Sequence, residues 1–232
     1  MKIVILCGGL GSRLGAETKL LPKPMVKLDK DPILVHIMRH YKNYGFDDFI
    51  LATGYKGNII NEYFKKDKRF KVKVFNTGQN TFTGGRLSKL YKHLKDEKNF
   101  MLTYGDGLSN QNLSHLLRYH LKHQKIGTMT VVRPPVRFGE VIMKKNLITH
   151  FEEKPQVKHS WINGGFFIFK KEIFNFLSKK DEMLEKKAIE NLAKKKQLMA
   201  FKHEGFWQCM DTNRDKELIK KLIKTKKALW MK

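Results

Sequence analysis

The sequence predicts an α/β fold: a mainly parallel sheet with helices on both faces and antiparallel additions late in the chain. Three observations carry this. Short apolar runs of strand length recur and stop at glycine, as in ILCGG, ILATG and MLTYGDG, the pattern of strands buried on both faces. Between them, apolar residues recur at helical spacing, so strand and helix alternate at the pace of βαβ units. Past residue 125 the texture changes to β-branched and glycine-broken runs (TMTVV, INGGFFIF), which add antiparallel partners to the sheet.

The first strand covers 3–6 and runs into Gly8-Gly9. A helix follows over 32–44, opened by Pro32, whose fixed φ suits the first turn, and ended by Gly45. A second strand (49–53), a second helix (56–64), a third strand (72–76), a third helix (85–94) and a fourth strand (100–104) continue the alternation. The fourth strand stops at Gly105-Asp106-Gly107. A helix over 113–123 precedes strands at 128–132, 141–143, 148–151 and 162–169. From Lys171 the chain is helical and lysine-rich, with one more strand at 198–202. No internal repeat or linker interrupts the pattern, so one domain over 1–232 is expected. Ligands on such a sheet gather at the carboxyl ends of the strands.

Composition narrows the classes. No apolar run approaches the roughly 18 residues that cross a bilayer, and no secretory leader is visible, so a cytoplasmic protein without membrane contact is expected. Cys7 and Cys209 have no CxxC or histidine partner at metal-ligand spacing and read as buried apolar residues. Lys and Arg number 47 against 22 Asp and Glu, a formal net charge of +25. The excess is lysine spread along the chain, without a basic arm, zinc-finger spacing or RNP-type aromatics, which argues against nucleic acid and for attraction of anionic small molecules.

GGLGSR, after the first strand, is not a Walker loop, since no Gly-Lys-Ser/Thr follows, and not a dinucleotide fingerprint, since Leu14 stands where the third glycine belongs. Glycines there still let bare backbone N–H groups approach phosphate, and Arg13 adds a fork-shaped cation. By itself the run fits a structural turn equally well. In LPKPMVKL, Lys23 stands between two prolines that fix its backbone, a second cation suited to neutralising charge in phosphoryl or nucleotidyl transfer. Asp106, at the end of a strand, is either a turn residue or an exposed carboxylate where a hard cation could sit among phosphate oxygens.

GGLGSRL followed by KPMV resembles the signature of the sugar-1-phosphate nucleotidyltransferases. PILVHIM, GYKGNIINEYF, NTGQNTFTGGRL, TYGDGL, PPVRFG, EEKP, INGGFF and GFWQCMDTNRD occur in the order found in glucose-1-phosphate cytidylyltransferases, and the likeness covers nearly the whole chain. It implies a Rossmann-like nucleotidyltransferase fold and a reaction in which CTP and a phosphorylated acceptor give a CDP-linked product and pyrophosphate, here for surface polysaccharide. It also implies roles. Gly8, Gly9, Gly11, Ser12 and Arg13 would wrap the triphosphate with Lys23 on the phosphates, and Leu6 and Asp106 would also bind the nucleotide. Thr83, Gly84 and Arg86 would lie by the base. Asp106 and Asp211 would hold Mg²⁺, and Tyr104, Gly139, Glu153, Lys154 and Asn163 would meet the acceptor. Arg13, Lys23 and Asp106 would be the catalytic set.

The chain departs from that family after residue 64, where a long insertion involved in subunit contacts is replaced by KKDKRFKVKV. Whether it forms a homo-oligomer therefore stays open, as does the acceptor. Capsule-pathway relatives suggest the same chemistry on a phosphorylated amino acid such as glutamine phosphate. The charge leaves a third reading, a nucleic-acid-binding or regulatory protein on a degenerate transferase fold.

Overall fold

A computed structural model describes residues 1–133, 140–152 and 160–231. In chain order its elements are β1 (Lys2–Cys7), α1 (Ala16–Leu20), α2 (Ile33–Asn43), β2 (Asp48–Thr53), α3 (Gly57–Lys66), β3 (Lys71–Asn76), α4 (Thr83–Lys89), α5 (Tyr91–Leu94), β4 (Asn99–Tyr104) and β5 (Gly107–Ser109). They continue with α6 (Leu113–His123), β6 (Gly127–Val132), β7 (Glu140–Lys144), β8 (Leu147–Glu152), β9 (Ile162–Lys170), α7 (Glu190–Lys194), β10 (Leu198–His203), β11 (Trp207–Cys209) and α8 (Asn213–Lys224).

The sheet has seven strands in the order β10-β6-β9-β4-β1-β2-β3. β1 pairs in parallel with β2 and β4, β2 with β3, and β10 with β6. β9 is antiparallel to both β4 and β6, so it alone runs against the other strands of this sheet. The apolar runs are continuous because both faces are covered. Ile3, Ile5 and Cys7 of β1 enter one core with Ile33, Leu34 and Ile37 of α2, while Val4 and Leu6 enter the other with Leu87, Leu90 and Leu94. Each such side chain contributes about 1.5–3 kcal/mol when buried. Truncating Ile5, fully buried at the centre, to alanine would cost about 2–5 kcal/mol.

Three features differ from the sequence expectation. The helix expected over 85–94 begins earlier, at Thr83, and is broken at Leu90 (φ −89°, ψ 1°), where the backbone tightens to Leu90 N–H→Leu87 O and His93 N–H→Leu90 O bonds. The strands at 141–143 and 148–151 form a separate β7–β8 hairpin instead of joining the main sheet. Its Met143, Leu147 and Phe151 are exposed. The pair β5 and β11 had no sequence signal, because each is only three residues long. That pair matters most for the site: it is antiparallel, and Met210 N–H donates to Asp106 O at 2.9 Å, which brings residues 106 and 211 to one place.

Candidate active site

Two adjoining cavities, about 500 and 350 Å³, open at the carboxyl ends of β1 and β4, where the chain order reverses about β1. They share Leu6, Gly9, Arg13, Asp106 and Asp211. Gly8 and Gly11 explain the glycine loop. Gly11 has φ 65°, and a Cβ on it would lie 2.7 Å from the Lys23 Cβ, so the glycine lets the lysine stem pass beneath the loop. A Cβ on Gly8 would lie 2.0 Å from the Arg86 Cζ. Past Gly11 the chain closes a tight turn, with Leu14 N–H donating to Gly11 O at 3.1 Å and Arg13 projecting outward.

Lys23 opens a short 3₁₀ turn after Pro22 (φ −66°). Its Nζ donates to Asp106 Oδ2 at 2.5 Å and to Asp211 Oδ1 at 2.6 Å. Arg13 reaches Asp211 Oδ2 from the solvent side at 3.3 Å. Burial works against the Lys23 charge, but the Asp106 carboxylate and the hydrogen bonds to both aspartates outweigh it and hold the ammonium above its usual range. For Asp211, burial would raise the pKa, yet the Lys23 hydrogen bond and charge, with Arg13, hold the carboxyl below the usual range.

Oxygens of Asp106 and Asp211 and the Cys209 sulfur lie within 4.8 Å of one another. Two hard carboxylates converging on one point, already bridged by an ammonium, fit a hard divalent cation that completes its shell with phosphate oxygens and water. Cys209 offers a soft sulfur, which suits a hard cation less than the two carboxylates do. Burial, then the charge of Asp106, pushes its thiol up. Cys7 is buried as expected, whereas Cys209 is only partly buried and lines the cavity wall, a correction to its reading as core.

Arg86 is almost wholly buried, 4% exposed. Its Nη1 donates to Thr53 O, Thr77 Oγ1 and Gly78 O at 2.7–3.0 Å, and its Nη2 to Gly8 O and Gln79 O at 2.9 and 3.2 Å. Both terminal nitrogens are therefore committed to the chain's own acceptors, and the guanidinium ties together the loops that follow β1, β2 and β3. Thr83 borders the cavity, but its hydroxyl donates to Glu185 Oε2 and accepts from Leu184 N–H, both at 2.8 Å. Gly84 packs against the backbone of residues 182–184, and its N–H donates to Glu182 O at 3.0 Å.

Tyr104 and Asn163 line the same cavity. Gly11, Ser12 and Lys23 line its neighbour. Gly139, Glu153 and Lys154 lie outside the described residues. The site also includes residues that sequence reasoning did not single out. Phe82, Met183 and Trp207 form part of the wall, and the Trp207 indole donates to Gly164 O at 2.7 Å. Asp215 Oδ2 accepts from the N–H groups of Asp211 and Thr212 at 3.1 and 2.9 Å, closing a capping box that fixes the backbone carrying Asp211. The T-x-x-D spacing in MDTNRD was the available signal.

Residues 2–223 match the profile of the family described as nucleotidyl transferase. The chain is 38% identical to the glucose-1-phosphate cytidylyltransferase of Salmonella typhimurium, over 99% of this chain and 98% of the relative. It is 32% identical to the mannose-1-phosphate guanyltransferase of Saccharomyces cerevisiae, over 94% of this chain and 63% of that protein. In fold it resembles the crystal structure of HddC from Yersinia pseudotuberculosis, with TM-score 0.73 and 23% identity over 96% of this chain and 99% of the other.

Proposed function

Since the chain belongs to the nucleotidyl transferase family, we propose that it is a cytidylyltransferase, moving CMP from CTP to a sugar 1-phosphate such as glucose 1-phosphate. The observation that carries this reading is the full-length likeness to a glucose-1-phosphate cytidylyltransferase, joined to a cavity that gathers Arg13, Lys23, Asp106 and Asp211 around one point. An oxygen of the acceptor phosphate attacks the α-phosphorus of CTP in line, the bond to the β-phosphate breaks, and pyrophosphate leaves with its electron pair. No protein nucleophile is needed, so the chain's work is positioning and charge neutralisation. The glycine loop receives the triphosphate, Arg13 covers its solvent side, and Lys23 exchanges carboxylate partners for phosphate oxygens. A divalent cation, Mg²⁺ in this proposal, would be held by Asp106 and Asp211 and would neutralise charge on the phosphates.

One observation favours a second reading, the same chemistry on a phosphorylated amino acid such as glutamine phosphate. Past Phe82 and Met183 the wall continues to a cavity of about 430 Å³ bordered by Asp181, Glu182, Lys186 and Lys187. Charges of both signs suit a zwitterionic acceptor better than a neutral sugar ring. We further propose one catalytic domain over 1–232 and a cytoplasmic setting in which the CDP-linked product feeds surface polysaccharide. Among the described residues no helix is long and apolar enough to cross a membrane.

The test is pyrophosphate release with each of the four nucleoside triphosphates against sugar 1-phosphates and phosphorylated amino acids. Turnover with CTP and a sugar 1-phosphate supports the first reading, and turnover confined to the amino acid phosphates supports the second. No turnover, with salt-dependent binding to random duplex DNA, would point instead to a nucleic-acid-binding protein.

A further inference from the structure

Glu185 belongs to no motif, yet it joins two walls of the cavity. One carboxylate oxygen accepts the Thr83 hydroxyl at 2.8 Å, and the other accepts the Tyr104 hydroxyl in a short hydrogen bond. Thr83 begins α4 on one side, while Tyr104 ends β4 on the other. Burial, then the neighbouring Glu185 charge, keeps the Tyr104 phenol protonated, and its ring packs on the Gly165 bend of β9, where an added Cβ would lie 2.7 Å from the Tyr104 Cδ2. Asn163 accepts from Gly165 N–H at 2.8 Å. A chain of hydrogen bonds thus runs from Leu184 N–H through Thr83 and Glu185 to Tyr104, and the Tyr104 ring carries it by packing to the glycine bend of β9. Glu185 heads a single π-helical turn, Glu185–Ile189, closed by Ile189 N–H→Leu184 O at 3.0 Å. Such turns are uncommon, and they re-aim side chains at functional sites.

We propose that Glu185 is a positioning residue for the transfer reaction, a clamp that fixes the distance between the α4 wall and the β4–β9 wall so that nucleotide and acceptor meet in register. The proposal rests on the reading of this cavity as the place where CTP meets a phosphorylated acceptor. Because Thr83 spends its one hydroxyl proton on the clamp, it does not donate to the base while the clamp is closed. The triphosphate loop lies outside the chain of bonds, so its grip on CTP does not depend on Glu185.

The test compares Glu185→Ala and Glu185→Gln with the wild type by steady-state kinetics and by amide hydrogen exchange. For Glu185→Ala, kcat falls about tenfold or more while the KM for CTP stays within about twofold, and Glu185→Gln, which keeps an acceptor oxygen, recovers a large part of kcat. Exchange accelerates in the segments around both Thr83 and Asn163 by about fivefold or more, and is unchanged in β2. Wild-type kcat in Glu185→Ala, or unchanged exchange in either segment, overturns the clamp. So does a general rise that includes β2, which marks loss of stability only. A wild-type protein that turns over no acceptor would refute the proposed function, and the exchange pattern would still decide the clamp.

Discussion

Lys23 and Asp106 are 83 positions apart in sequence, yet the ammonium lies 2.5 Å from the carboxylate. The same nitrogen bonds Asp211 at 2.6 Å. Two prolines fix the lysine's backbone, the end of β4 sets Asp106, and the capped start of α8 sets Asp211. One ammonium bridges the two carboxylates, with Arg13 on Asp211 from the solvent side, and such a pair of carboxylates suits a further, divalent cation.

Replacing Lys23 by Met removes the ammonium that bridges the two carboxylates and leaves only Arg13, on Asp211. Turnover falls by about 10² or more. Free Mn²⁺, followed by electron paramagnetic resonance, binds more tightly than to the wild type, because the ammonium no longer competes for the oxygens. Equal or weaker Mn²⁺ binding would show that Lys23 does not occupy the cation position.

Asp106→Asn and Asp211→Asn each remove most turnover, by about 10² or more, while the fold survives. Chelation of divalent cations should abolish wild-type activity, and added Mg²⁺ should restore it. Full activity in either variant would remove that residue from the metal site.

Gly11→Ala meets two costs, a positive φ and a contact with the Lys23 stem. Together these destabilise the chain by about 1–2 kcal/mol. Because the contact is with Lys23, the KM for CTP rises as well, and thermal melting with CTP titration separates the two effects.

Arg86→Met leaves four carbonyl oxygens and a threonine hydroxyl without their donor. Stability drops by about 2–4 kcal/mol in a denaturant titration. Arg86→Lys recovers only part, because an ammonium cannot reach acceptors spread over three loops.

Stability depends on pH through buried histidines. Burial lowers His36, His40 and His120 from 6.5 to about 4 each. Between those values the unfolded chain binds more protons than the folded one, so their contribution is fully present above pH ~6.5 and is lost as pH falls towards ~4. Melting temperatures should fall steadily through that window. Replacing His120, whose ring bonds Thr128 and Asn99, by Gln should flatten the slope.

The parts that were legible in the sequence are those whose cause is local. The strands β1, β2 and β4 announce themselves as apolar runs stopped by glycine, and GGLGSR, Lys23 and Asp106 follow directly from strand ends or prolines. Asp211 was reached only through resemblance, because its place depends on a three-residue strand pair formed across 100 residues of chain. Arg86 could be named but not placed, since only the folded loops show which acceptors surround it. Glu185 was invisible for the same reason: its partners at 83 and 104 come from other elements, and a π-helical turn has no simple sequence period.

The most direct measurement is ³¹P NMR of the protein with CTP, Mg²⁺ and glucose 1-phosphate. A diphosphate diester and free pyrophosphate should grow at the same rate, and both signals should be lost in Asp106→Asn. Consumption of CTP to CMP or CDP without a diester, or no change with any phosphorylated acceptor, would contradict the proposed transfer.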